Sequence, residues 1–464
     1  MYFHKEKNLN FILSAIPFFL SLSCKVTNKE PANLTEDIQI PEPHVFKNTD
    51  YPYDEISEET IPGSSPVNKN IDKKSFEIDG LSFKKIIALE AQTSYGFYLP
   101  NKLTTPVSKV VVTKIDNSSK KYQEALGYEL LINNPKFPSI TVTEDGTIVL
   151  LVSYVSDSDQ KRKGYLMTSK NGLNWSTPKK TPWHRANPVA MGGSNLMMYL
   201  PNSSFVLTHN YGESWHSNIE LPEVEGRKCY TDVAYDPLIE GNKLHLICWV
   251  NLLGNQENHH DRKLFTQAVF MTYTFGEHVW EIHPLPKEWG LNEGSLIRAD
   301  NGNLVACFRT QLVDTPVPSD NFMGLATSIS KDNGKTWSLP VQHFLYGRMH
   351  ASMIKLKNGS ILMTYAVRVG QLDSYPQHGV EAVLSHDNGK SWDWEHRFII
   401  ARRPSSTIHS PHSVLMSDGN ILTVYMNDTY FSYKKSERLI TPKSARPYTG
   451  HVSAIIWNPE NFNN

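Results

Sequence analysis

Two stretches of this chain are nearly the same. Ser330-Lys331-Asp332-Asn333-Gly334-Lys335-Thr336-Trp337 returns as Ser385-His386-Asp387-Asn388-Gly389-Lys390-Ser391-Trp392. Looser copies run from Ser169 through Gly172 to Trp175 and from Thr208 through Gly212 to Trp215, and Thr274-Phe275-Gly276 with Trp280 is a degenerate fifth. Asp or Asn close to a glycine suits a tight turn between antiparallel strands: the side chain binds nearby backbone N–H groups and glycine supplies a positive φ. The tryptophan that follows can plug the seam between neighbouring sheets. One copy would be an ordinary hairpin. Copies spaced by roughly 40–65 residues indicate one supersecondary unit repeated, as in the blades of a propeller. Such a repeat names an architecture and not a chemistry.

A second repeat runs beside the first. "PSITVTEDGTIVLLVSY", "GSLIRADNGNLVACFR", "ASMIKLKNGSILMTYAVR" and "HSVLMSDGNILTVYMND" each read as two apolar strands joined by Asp-Gly or Asn-Gly. One such hairpin plus one turn of the first kind makes a four-stranded blade. The chain is therefore expected to be all-β, a propeller of six blades. The stretch 82–131 either closes the ring or forms a seventh blade, and the final strand "HVSAIIW" is expected to pair with an N-terminal strand.

The S-x-D-x-G-x-T-W pattern resembles the Asp box of sialidase-type propellers. That resemblance covers about residues 130–460. Sialidases place an Arg in a Y-R-I-P motif at the first hairpin, an Asp acid/base in the loop after it, and a Glu opening a later hairpin that ends in a second Arg. A third Arg precedes a late Asp box, and a Tyr nucleophile opens the last blade. The three arginines bind the substrate carboxylate, for which the planar guanidinium is suited. The resemblance implies that Glu293 and Arg309 are the Glu and its partner Arg, with Asp157 or Asp159 as the acid/base. The rest departs from true sialidases: Lys136 stands at the Y-R-I-P arginine, Gln377 or His378 at the third arginine, and Ser410 at the tyrosine.

In a propeller the innermost strands converge on the axis, and residues at their openings line one mouth of the channel. That rule selects Lys136, Asp232, Glu293, Arg348, His350, His409 and His412, with Arg309 facing the same mouth. Lys136, Arg309, Arg348 and His378 can bind an acidic sugar. His350, His409 and His412 suit acid/base work near neutral pH, and Tyr230 can stack on a sugar or donate a proton. Cations to neutralise a carboxylate, a base and an acid are what elimination from a uronate requires, whereas a pair of carboxylates would serve hydrolysis. The expected function is breakdown of an acidic oligo- or polysaccharide containing uronate or sialate, by hydrolysis or by elimination. A non-catalytic glycan-binding propeller and a true exo-sialidase with rearranged residues are the alternatives.

Composition narrows the setting. The 464 residues carry a formal net charge of −1, with no dense basic stripe, which disfavours nucleic acid as partner. Lys5 and Lys7 precede an apolar run from Leu9 to Leu22 and then Ser23-Cys24, a signal-peptide layout ending in a lipobox-like cysteine. Residues 1–24 are thus expected to direct export and Cys24 to carry a lipid anchor, on a bacterial outer-membrane or cell-surface lipoprotein; the alternative is a periplasmic or secreted protein. Residues 25–81, rich in Pro, Glu, Asn, Lys and Ser, read as a flexible linker, and 82–464 as a propeller acting as a monomer. No cofactor and no metal is expected: His259-His260-Asp261 reads as a solvated loop, and a zinc site from His245, Cys248 and Cys229 is the weaker alternative. Cys229 and Cys248 lie in adjacent strands and either pair or remain buried thiols.

Overall fold

The repeated hairpins fold as their glycines require. Gly146, Gly302, Gly359 and Gly419 all turn at positive φ, between 77° and 89°, and each joins the first two strands of a blade. The structure, a computed structural model, describes residues 104–106, 110–115, 120–130, 135–155, 162–181, 183, 187–200, 204–230, 236–252, 266–311, 323–344, 347–367, 378–403, 408–428 and 450–462. The expected leader with Cys24, the linker, Asp157, Asp159, Asp232, His259, His260, Asp261 and Gln377 lie outside the described residues. So do the side chains of Lys136, His378 and His409, whose backbone is described.

Six four-stranded blades follow one another along the chain. Blade I runs from Pro135–Val142 to Lys179–Thr181, and blade II from Asn187–Ala190 to His216–Glu220. Blade III has a split inner strand: Cys229–Tyr230 and Leu238–Glu240 both pair with Lys243–Asn251, followed by Thr266–Thr274 and Val279–Pro284. Blade IV runs from Asn292–Arg298 to Val341–Phe344 and blade V from Arg348–Lys355 to Phe398–Arg403. Blade VI begins with Ile408–Leu415, Ile421–Asp428 and Gly450–Trp457. Among the described residues there is no α-helix.

Blade VI borrows its outer strand. Lys120–Leu130 pairs with Gly450–Trp457, Val452 opposite Leu130 and Ile456 opposite Leu126. Val110–Ile115 pairs with Lys120–Leu130 and touches the edge of blade V, Thr113 opposite Ile399. The described part of 82–131 therefore closes the ring, and the seventh-blade alternative is corrected to six. This also explains why turns of the first kind stop at blade V. They join third to fourth strands, and in blade VI that connection does not exist.

Those turns are built alike. In blade IV the Ser330 hydroxyl donates to Asp332 Oδ1 (2.8 Å) and accepts the Gly334 N–H (2.8 Å). Asp332 in turn accepts from the Thr336 N–H (2.8 Å) and hydroxyl (2.6 Å). The Thr336 side chain, with its backbone, holds the Asp332 carboxyl down at about 2. Blade V repeats the set through Ser385, Asp387 and Ser391, and blades I and II do so with Asn171 and Asn210 in the acidic place. A Cβ on Gly334 would meet Phe270 of blade III at 2.0 Å, and one on Gly389 would meet Val305 of blade IV at 2.7 Å. Each turn thus seats its glycine on the preceding blade. Trp337 lies 5.6 Å from Phe270, in a seam that also holds Leu296, Leu304 and Phe308. Burying side chains of this size contributes about 1.5–3 kcal/mol each.

Candidate active site

The antiparallel order of each blade puts the turns described above at one end of the ring. The openings of the inner strands and the ends of the second strands lie at the other. At that second end the backbone does something unusual. Phe137 (φ 47°), Asp236 (52°), Glu293 (34°), His350 (52°) and Ser410 (51°) are all left-handed and none is glycine. Four of them sit where the first hairpin's register shifts, between Lys136 and Ser139, Asn292 and Gly294, Met349 and Ser352, and His409 and His412. Asp236 precedes Leu238–Glu240, the lower piece of the split strand. Such conformations cost about 1–3 kcal/mol each and collect where side chains must be aimed. Blades I, III, IV, V and VI thus each carry one such residue at this end.

Two of the five meet. Glu293 Oε2 lies 3.1 Å from His350 Nδ1, and Glu293 Oε1 lies 3.1 Å from the Arg309 guanidinium. Arg309 Nε donates to Asn292 Oδ1 (2.7 Å), Asn292 Nδ2 donates to the Thr266 hydroxyl (3.1 Å), and that hydroxyl donates to Gly290 O (3.1 Å). The line spans blades III, IV and V. Glu293, Arg309 and His350 are 9%, 5% and 2% exposed, so the charges act in a poorly screened setting. A carboxylate this close to Nδ1 favours a hydrogen on that nitrogen, and both ring nitrogens are buried.

A second cluster lies deeper. Asp236 Oδ2 accepts from the Ser295 hydroxyl (2.6 Å) and the Met353 N–H (2.9 Å), and Asp236 Oδ1 lies 2.8 Å from His412 Nε2. His412 Nδ1 accepts the Ile140 N–H (3.2 Å) and lies 3.3 Å from the Ser139 hydroxyl. A backbone N–H can only donate, so Nδ1 is unprotonated and Nε2 carries the hydrogen given to Asp236. Four blades are pinned here through side chains or backbone N–H groups two or three residues past the bulges, and blade III supplies the carboxylate. Glu293 and His350 stand on the strands that Asp236 holds, at Ser295 and Met353.

The remaining expected residues are distributed around this core. Tyr230 is half-buried and stacked on Trp249 (4.8 Å between centroids), two residues above the Ile247 side chain that a Cβ on Gly294 would strike at 2.7 Å. The aromatic pair therefore lies on the face of blade III that meets the Glu293 strand. Arg348 opens the inner strand of blade V, buried, with its guanidinium 5.1 Å from the Phe344 ring centre. Near it, Tyr365 donates to Glu381 (2.8 Å), and burial together with that carboxylate pushes the phenol well above its ordinary value. His378 opens the third strand of blade V, opposite Arg403. Lys136 and His409 each stand one residue before a left-handed position. Gln311, buried at the end of the Arg309 strand, and Asn292 were not expected from sequence. Asp236, just before Pro237 and the strand Leu238–Glu240, was also not expected from sequence.

Among the described residues no group of three or more His, Cys, Asp or Glu is placed to hold a metal ion. His245 Nδ1 bonds the Thr272 hydroxyl (2.8 Å), and its Nε2 faces Glu240 at 3.4 Å. Cys229, Cys248 and Cys307 are buried thiols, and burial pushes that of Cys307 up to about 12.

No protein-family model and no curated protein matches the sequence. Among solved structures, the fold is similar to that of a protein of unknown function from Dyadobacter fermentans, at 14% identity and a TM-score of 0.51, over 77% of this chain and 100% of that one. Trypanosoma rangeli sialidase aligns at 12% identity and a TM-score of 0.46, over 76% of this chain and 59% of the sialidase, so this chain spans less than two thirds of its length. An α-L-arabinofuranosidase from Fusarium graminearum aligns at 11% identity and a TM-score of 0.46, over 71% of this chain and 95% of that one. At these identities the likeness concerns the fold alone, the six-bladed propeller described above.

Proposed function

We propose that this protein is a carbohydrate-active enzyme that breaks down acidic glycans, those bearing a uronate or a sialate, at the end of the ring where the inner strands open. One observation carries the reading: the buried Glu293 carboxylate stands 3.1 Å from both the Arg309 guanidinium and the His350 imidazole, and Glu293 and His350 sit on left-handed backbone. Buried ionisable groups on a costly backbone are the mark of a site kept for chemistry.

Of the two routes, the dyad favours elimination. His350 Nε2 removes the proton next to the sugar carboxylate, with Nδ1 held by Glu293. The Arg309 guanidinium balances the charge that builds on that carboxylate, and Tyr230, stacked on Trp249, lies under a sugar ring or returns a proton to the leaving oxygen. The C–O bond breaks, its electron pair leaves with oxygen, and a C=C bond forms. Lys136, Arg348, His378 and His409 are further polar groups assigned to binding and proton transfer at this end, and Asp157 and Asp159 to the loop beside it. Ser410, buried on left-handed backbone where a sialidase has its tyrosine, gives no comparable nucleophile, which argues against a retaining exo-sialidase. The leader, Cys24 and the segment 25–81 suit an enzyme exported and held at a cell surface by lipid.

The test is incubation of the protein with uronate-rich polysaccharides and with sialosides, read by product mass and by ultraviolet absorbance of an unsaturated uronate. New absorbance with shortened chains is expected. Saturated fragments would reassign Glu293 to hydrolysis, and saturable binding without product from any substrate would leave a binding module.

A further inference from the structure

Away from the mouth, a cleft of about 460 Å³ runs along the outer seam of blades III and IV. Pro284 to Lys287 form one wall, and Lys335 to Trp337 of the blade IV turn form the other. We infer that this cleft is a second, non-catalytic binding site for a stretch of anionic sugar chain. The choice of an acidic glycan rests on the function proposed above; the site itself rests on its own lining.

Three features point to that ligand. The first is charge: Lys287 and Lys335 are both exposed on opposite walls, and among the described residues no carboxylate lines the cleft. Asp332, three residues before Lys335, is tied into its own turn by Ser330 and Thr336, and the side chain of Glu288, next to Lys287, lies outside the described residues. The second is an aromatic floor. Trp337 is half-buried, rests on Phe270 at 5.6 Å, and turns its Nε1–H inward to Gly334 O (3.0 Å), which leaves its apolar ring as the lining surface. An aromatic face beside cations fits the C–H face and the carboxylate of one uronate unit. The third is preorganisation: Gln267 Nε2 donates to Leu285 O (2.6 Å) and fixes the proline-flanked wall, while the turn's own hydrogen bonds fix the other. Binding to a fixed surface loses little to ordering. The volume falls in the range of about 300–1,000 Å³ usual for small-molecule sites. In blade V the matching Trp392 is covered, with Trp394 at 6.4 Å and His343 at 6.5 Å. The cleft is therefore not a necessary consequence of the turn motif. Set on the outer wall, the site would hold a long chain while its end reaches the mouth.

The experiment is calorimetric titration of the full chain with oligogalacturonate, and with a neutral maltooligosaccharide as control, in a Glu293→Gln background that blocks turnover. The comparison variant adds Lys287→Glu and Lys335→Glu, two exposed changes that spare Trp337 and the fold. The expected result is a salt-sensitive uronate site that weakens by about tenfold or more on reversing the lysines. In the protein with native Glu293, the same reversal should slow degradation of long polymer and leave short substrates unaffected. Unchanged titration, equal binding of the neutral sugar, or no uronate binding outside the mouth would overturn the inference. Retained lysine-dependent binding in a protein that turns over nothing would overturn the proposed function and leave this inference standing.

Discussion

The two ends of the ring solve opposite problems. At the turn end, the repeated motif satisfies its polar groups within a few residues, the left-handed positions fall mostly to glycine and asparagine, and one bonding pattern serves blades I, II, IV and V with small edits. At the mouth end, the left-handed positions belong to Phe, Asp, Glu, His and Ser, and their partners lie on other blades, as Asp236 and His412 show. The turn end repeats because folding asks the same of each blade. The mouth end differs blade by blade because a site needs different groups converging on one point. Strain is small at the first end, where most left-handed positions are Gly or Asn, and larger at the second.

The sharpest way to break this comparison is at Glu293. Glu293→Gln keeps the shape between Arg309 and His350 but removes the charge, and turnover of an acidic glycan should fall by about 10²–10⁴-fold with the unfolding midpoint little changed. A variant as active as the parent would take the chemistry away from the mouth. At the turn end the largest effect should come from Gly334→Ala, where a Cβ would meet Phe270 at 2.0 Å at φ +87°. A loss of about 3 kcal/mol or more is expected in urea unfolding. Gly302→Ala has a similar φ of +84° and nothing within 4 Å, so about 1–2 kcal/mol of backbone cost should be all that is lost. Equal losses would mean that contact between blades is not what the turn glycine serves.

Asp236→Ala tests the pin beneath the mouth. It strands the Ser295 hydroxyl, the Met353 N–H and the His412 Nε2–H, which should cost about 2–4 kcal/mol and lower turnover as well, since the strands carrying Glu293 and His350 lose their tie. Asp387→Ala should be milder: about 1 kcal/mol of stability, with the rate per folded molecule unchanged.

The smallest effect at neutral pH belongs to His343, which bonds Thr327 in the seam of blades IV and V. Burial lowers its pKa from 6.5 to about 3, so between those values the unfolded chain takes up a proton that the folded chain refuses. Its stabilising contribution is full above pH 6.5 and is lost as pH falls toward 3, and His343→Gln should flatten that part of a stability–pH curve. An unchanged slope would show that other groups set the acid limb.

What could be read from the sequence follows the same division. The turn motif needs particular residue types at fixed offsets, so Ser330–Trp337 and its copies announced the blades, and the Asp-Gly and Asn-Gly turns announced the hairpins. The closing strand Lys120–Leu130 carries no local signal, because its partner, Gly450–Trp457, lies more than three hundred residues away; hence the open choice of six or seven blades. At the mouth, counting back from the hairpin turns reached Glu293 and His350. In blades I and VI it singled out the polar Lys136 and His409, whereas the bulges give the left-handed backbone to Phe137 and Ser410, the next residue on. A bulge adds one residue without a sequence mark of its own. Asp236 escaped because the inner strand of blade III is split, so the first arm of its hairpin, Leu238–Glu240, is too short to mark where the strand opens. His412 was expected at the mouth for its chemistry, while its imidazole is engaged below by Asp236 and Ile140.

The most direct measurement is the location of an acidic oligosaccharide in a crystal of the Glu293→Gln variant. The expected result is a sugar carboxylate within hydrogen-bonding distance of Arg309, a ring lying against Tyr230, and a reacting carbon facing His350 Nε2. A mouth left empty by a sugar that turns over in the parent protein would contradict the assignment of chemistry to this end of the ring.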